Sequence, residues 1–147
     1  MYNYILKSWI IVLLIISNSC TDQGFYEGRY IIENDTERTV EIRFYKRQRV
    51  GAPILVLTKE INGPGIIYDE FKKLYSPGDS EIPKDVFGAD SLAVIFNSEK
   101  IQAHYESIPF ENSLSDFGDY MQDGNTNRYI ITEENYENAI PCDGDCE

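Results

Sequence analysis

The chain is predicted to fold as an all-β, single-domain antiparallel β-sandwich with a short C-terminal helical turn. Three observations predict it. Behind an apolar leader, the sequence breaks into about seven short segments rich in Val, Ile, Phe and Tyr. Clusters of Asn, Asp, Gly, Pro and Ser punctuate them at the spacing of sandwich or barrel strands. The 147 residues are the length of one domain and contain no internal repeat.

Taken in order, residues 28–33 open the series, with Tyr30 and Ile32 on one face, and Asn34-Asp35-Thr36 turn the chain. Residues 38–45 alternate most clearly: Val40, Ile42 and Phe44 point inward, Glu41 and Arg43 outward. Residues 53–61 follow a basic turn. Their near-continuous run Ile54-Leu55-Val56-Leu57 reads as a strand buried on both faces or crossing between sheets. Asn62-Gly63-Pro64-Gly65 stops that run. In residues 66–75 the spacing of Ile67, Phe71, Leu74 and Tyr75 also fits a helix, but the strand-like neighbours favour a strand ending before Ser76-Pro77-Gly78-Asp79. After a loop containing Pro83, residues 91–96 and 101–106 form an antiparallel pair around Asn97-Ser98-Glu99-Lys100. Residues 109–127 read as a polar, acidic loop and residues 128–132 as the last strand. Thr132 then caps a helical turn with Glu133 and Glu134 in its first turn, and Pro141 ends it. The sandwich this describes is immunoglobulin-like or transthyretin-like.

The leader carries Lys7, an eight-residue apolar run from Trp9 to Ile16, and then Ser17-Asn18-Ser19-Cys20. That run is too short for a membrane-spanning helix, which needs about 20 apolar residues, and suits a secretory signal. Ser17-Asn18-Ser19-Cys20 resembles the lipobox of bacterial lipoproteins, in a loosened form like that of the Bacteroidetes. Asn34-Asp35-Thr36 before Val40-Glu41-Ile42, Ser76-Pro77-Gly78-Asp79-Ser80, residues 90–96, and the stretch Thr132-Glu133-Glu134-Asn135-Tyr136-Glu137-Asn138-Ala139 resemble small Bacteroidetes lipoproteins of unassigned function. The resemblance implies lipidation of Cys20, an exported sandwich in the bacterial cell envelope at the outer membrane, and no particular activity. Residues 1–19 are then the signal, 20–27 the lipidated tether and 28–147 the sandwich domain. Thr21 to Glu27 span about 25 Å at most when extended, so the domain sits close to its membrane. Whether it faces the periplasm or the exterior stays open.

With 25 acidic and 13 basic residues the formal net charge is −12, which argues against nucleic acid as a partner. The charge is uneven. Residues 101–147 hold 11 acids and the single base Arg128, whereas Lys46-Arg47-Gln48-Arg49 form a basic cluster. The cluster reads first as a solvated turn, and alternatively as a binding patch or the pole of a molecule that self-associates. Besides Cys20, Cys142 and Cys146 flank a central Gly144 and are spaced for a disulfide, which persists in an exported protein. A closed zinc site would need more ligands.

No pattern for catalysis emerges, and the expectation is a protein without catalytic residues, cofactor or metal. His104 lies within a strand with no nucleophile motif. Asp123, Asn125, Asn127 and Glu134 match four positions of a calcium loop, but Arg128 stands where Gly is required, so Asp123-Gly124-Asn125 reads as a hairpin turn. Tyr45, Tyr105 and Tyr120 are the rings placed to form an exposed glycan platform, against a core role for Tyr30, Phe44, Phe96 and Tyr129. The leading functional expectation is a lipid-anchored interaction or accessory protein. The alternatives are a carbohydrate-binding surface lipoprotein and a small hydrolase.

Overall fold

The computed structural model describes residues 26–74, 84–105, 114, 119–144 and 146; the expected signal at residues 1–19, Cys20 and Ser76–Asp79 lie outside them. Among the described residues nine strands build two sheets. In chain order they are β1 (Tyr26–Asn34), β2 (Thr39–Lys46), β3 (Ile54–Asn62), β4 (Gly65–Leu74), β5 (Ser91–Phe96), β6 (Lys100–Tyr105), β7 (Met121–Asp123), β8 (Thr126–Ile131) and β9 (Ile140–Pro141). Two short helices join them, α1 (Lys84–Phe87) and α2 (Glu133–Asn138). One sheet runs β4-β1-β8-β7 and the other β3-β2-β5-β6-β9. The sandwich is as expected. Every pairing is antiparallel except β1 with β8, which is parallel.

Alternation places the core. Tyr30 and Ile32 from β1 meet Val40, Ile42 and Phe44 from β2, Leu92, Val94 and Phe96 from β5, and Tyr129 and Ile131 from β8. All are buried, and removing each large apolar side chain from water contributes about 1.5–3 kcal/mol. Phe44 packs between Phe87 of α1, with ring centroids 4.8 Å apart, and Tyr68 of β4, at 6.5 Å. The segment containing α1, a loop by sequence, is helical here because Val86, Phe87 and Ala89 close one side of this core.

Asn34 ties the two sheets together where the chain crosses between them. Its Nδ2 donates to the carbonyls of Arg38 (3.0 Å) and Gly63 (2.8 Å), and its Oδ1 accepts from the Thr36 backbone (3.1 Å) and hydroxyl (2.8 Å). One buried amide therefore holds the β1–β2 crossing against the β3–β4 crossing. Gly63 (φ 77°) supplies the left-handed residue that the second crossing requires.

The stretch Thr132–Ala139, the strongest part of the lipoprotein resemblance, closes one end of the sandwich. Asn135 Oδ1 accepts from the Thr132 backbone N–H (2.9 Å), and its Nδ2 donates to the Tyr129 hydroxyl (2.9 Å). Glu133 pairs with Arg38 at 3.0 Å. The Tyr136 ring lies between Arg38, 3.4 Å from the centroid, and Lys100, 4.3 Å away, an arrangement that suits the negative face of an aromatic ring. Each residue of the stretch so placed does structural work.

Two strand expectations and one side-chain placement are corrected. β3 is neither doubly buried nor a sheet crossing: it is an edge strand, and Ile54, Leu55 and Val56 are 45–49% exposed. Met121–Asp123, assigned to a loop, is strand β7, because pairing with β8 across the Gly124 turn satisfies its backbone. Tyr120, expected to face outward, is buried: its ring packs against Tyr30 and Tyr129 and its hydroxyl donates to the Leu114 carbonyl at 3.0 Å.

Candidate interaction surface

The two outer faces are covered by different chemistry. On the β4-β1-β8-β7 sheet, Ile31 is 1% exposed although it points away from the core. Its register neighbours are Asp69 and Arg128. Arg29 grips Asp69 through two hydrogen bonds (2.7 and 2.6 Å), and Arg128 pairs with Glu33. The Arg29 hydrogen bonds hold the Asp69 carboxyl below its ordinary range.

On the other sheet the roof is the C-terminus. Cys142 and Cys146 form the expected disulfide, with Cα atoms 5.2 Å apart. The Cys142 N–H donates to the Glu99 carbonyl (2.9 Å) beside β6, while the Cys146 carbonyl accepts from Arg43 Nη1 (2.5 Å) on β2. The clipped loop thus crosses the outer face of β6 and β5, which accounts for the burial of Ala93 and Ile95 there. Beside it a cavity of about 250 Å³ opens between Tyr45, Pro53, Ser91, Ala93, Ile101 and Ala103. Among the described residues its lining contains no carboxylate, imidazole or thiol to form an acid–base pair. It is smaller than the ~300–1,000 Å³ of ordinary ligand pockets.

The remaining sequence candidates do not converge on a site. Asp123 and Asn125 lie at the β7–β8 hairpin, as the turn reading expects, Asn127 is buried in β8, and Glu134 sits on α2. Among the described residues no group of three or more His, Cys, Asp or Glu is placed to hold a metal ion. His104 is fully buried on β6, and burial pushes its imidazole down to about 4, so it is neutral at physiological pH. The glycan platform loses Tyr120 to the core. Tyr45 is half-buried beside the cavity, and the Tyr105 side chain lies outside what is described. Cys20 does too.

What does stand out is an edge. Among the described residues the two sheets have four edge strands. β7 has three residues, and β9 has two, one of them Pro141; short edges and proline both discourage pairing with another chain. β4 carries Asp69, Glu70, Lys72 and Lys73, with Lys72 bound to Glu70 at 2.5 Å. β3 is nine residues long, and its first five, Ile54 to Thr58, carry no charge. Its other side pairs with β2 in a register shifted between Phe44 and Tyr45. That strand leads out of the turn containing Arg47 and Arg49, both exposed, as is Lys46 before it. The Arg47 backbone N–H is anchored to Asp90 (2.6 Å). Val50 at the tip is 87% exposed. Sequence reasoning noticed the apolar run and the basic cluster separately, but misplaced the first in the interior.

No family model, curated protein or solved structure matches the chain. Among the described residues no helix is long and apolar enough to cross a membrane.

Proposed function

We propose that this protein is a lipid-anchored component of the bacterial cell envelope, held through Cys20 at the outer membrane. In this reading it acts without catalysis, by binding another protein along the edge of β3. The supporting observation is that edge: an uncharged, apolar stretch at Ile54–Thr58 in a sheet whose opposite edge is two residues long. An unprotected edge exposes backbone donors and acceptors to which an incoming strand adds, with alternate side chains reading the partner. Anchoring near the bilayer complements this role, because a short tether concentrates the protein against envelope partners.

The test places a photo-crosslinking residue at Val56 in the producing cell, with the same residue at Lys73 on β4 as a control. The expected result is a discrete adduct from position 56, none from position 73, and partitioning of the protein into detergent that Cys20→Ser abolishes. Absence of an adduct at 56, or the same adduct at both positions, contradicts the binding role. Detergent partitioning unchanged by Cys20→Ser contradicts the tether.

A further inference from the structure

Building on the strand-addition reading, the distribution of ion pairs identifies the chemistry of the partner. In a chain with 25 acids and 13 bases, cations are scarce and most are used internally. Arg29 is held by Asp69, Arg38 by Glu133, Arg43 by Glu41, Lys72 by Glu70, Lys73 by Glu27 and Arg128 by Glu33. Lys100 donates to the Tyr136 carbonyl (3.1 Å) and lies over its ring. Lys59, on β3 itself, lies close enough to Glu70 to lower that carboxyl. Lys46, Arg47 and Arg49 are different: among the described residues they form no ion pair. All three project from the β2–β3 hairpin that presents Val50, Ile54, Leu55 and Val56 to solvent.

We infer that the β3 edge takes an extended segment of another protein in which apolar residues alternate with, or are flanked by, Asp and Glu. The apolar side chains cover Ile54–Val56 and the acids meet Lys46, Arg47 and Arg49. The same hairpin, apolar and basic, also has the composition of a surface for anionic lipid. Hydrocarbon leaves the N–H and C=O groups of an edge strand unsatisfied, however, and a partner strand does not. Charge complementarity of this kind speeds encounter and excludes wrong partners, and it weakens with salt. Because the chain carries a net charge of −12, its overall field disfavours an acidic segment away from such a basic hairpin, which sharpens the choice of site.

The experiment uses the full lipidated chain in detergent and fluorescence anisotropy of labelled peptides of about ten residues, long enough for one strand. One peptide alternates Val with Glu; its counterparts carry Ser or Lys in place of Glu. The expected result is saturable binding of the Glu peptide, at least tenfold weaker for the Ser peptide and undetectable for the Lys peptide. At least tenfold is also lost when both Arg47→Glu and Arg49→Glu are introduced, exposed changes that leave the core untouched. Leu55→Pro, which disturbs the edge backbone that an added strand must pair with, abolishes binding. If Glu and Ser peptides bind equally and the double charge reversal changes nothing while Leu55→Pro still abolishes binding, the acidic partner is wrong and strand addition stands. If Leu55→Pro has no effect, or no peptide binds, strand addition itself fails. Tighter binding to phosphatidylglycerol vesicles than to the Glu peptide would assign the hairpin to lipid. A doubled mass with no peptide binding would assign it to a second copy of this chain. Either outcome overturns the inference.

Discussion

Asn34→Ala is expected to destabilise the fold by about 3 kcal/mol, the loss that follows when one buried amide leaves several buried groups without partners. The side chain is 1% exposed and makes four hydrogen bonds, two as donor and two as acceptor. Its removal strands the Gly63 carbonyl and the Thr36 amide, and leaves the Arg38 carbonyl with the Gly63 N–H as its donor. The first two belong to different crossings between the sheets, so the damage spreads to both layers. Asn34→Asp separates the halves of the network: it keeps the acceptor for Thr36 but turns a carboxylate oxygen toward two carbonyls. Its stability should improve on acidification, as the carboxyl regains a proton to donate. Urea unfolding of the two variants checks both statements. A loss below about 1 kcal/mol for Asn34→Ala would mean that this amide does not hold the crossings together.

The second large effect concerns acid. The His104 imidazole is lowered from 6.5 to about 4, with burial as the cause, so the folded protein resists taking up a proton that the unfolded chain accepts freely. Above pH 6.5 both states are neutral and the residue exerts no pH dependence. As pH falls from 6.5 toward 4 the unfolded state gains protons first, and stability declines, levelling off once the folded state also protonates. At 1.36 kcal/mol per pKa unit the whole decline is about 3 kcal/mol. His104→Gln should flatten the profile across that window, whatever it costs at neutral pH. Asp69 and Glu70, whose carboxyls are lowered from 3.8 and 4.5 by Arg29 and Lys72, add acid sensitivity only below their ordinary values. They therefore do not mask the histidine between pH 5 and 6.5. A wild-type profile flat over that interval would contradict the burial of a neutral imidazole.

Much of the architecture was legible because it rests on local patterns. Val40, Ile42 and Phe44 alternate with Glu41 and Arg43, and the structure buries one set and half-exposes the other. Asn97 and Ser98, with φ of 51° and 58°, make the turn their composition suggests. The errors came from interactions that sequence spacing does not encode. An apolar run such as Ile54–Leu57 fits a doubly buried strand and an unprotected edge equally well, and only the strand order separates them. Tyr120 follows a polar stretch, yet long-range contacts with Tyr30 and Tyr129 draw its ring inward. The parallel pairing of β1 with β8 joins segments from opposite ends of the domain. For the candidate surface, the basic cluster was visible as composition. Its significance lies in the lack, among the described residues, of any ion pair to Lys46, Arg47 and Arg49, which is a property of the folded chain.

The edge of β3 carries the functional account, and amide hydrogen exchange measures its occupancy directly. The comparison is between the full-length protein in membranes isolated from the producing cell and the same protein purified in detergent. The account predicts rapid exchange at residues 54–58 in the purified protein and slowed exchange there in membranes, with β2 and β5 equally protected in both. Identical exchange at residues 54–58 in the two preparations would contradict it.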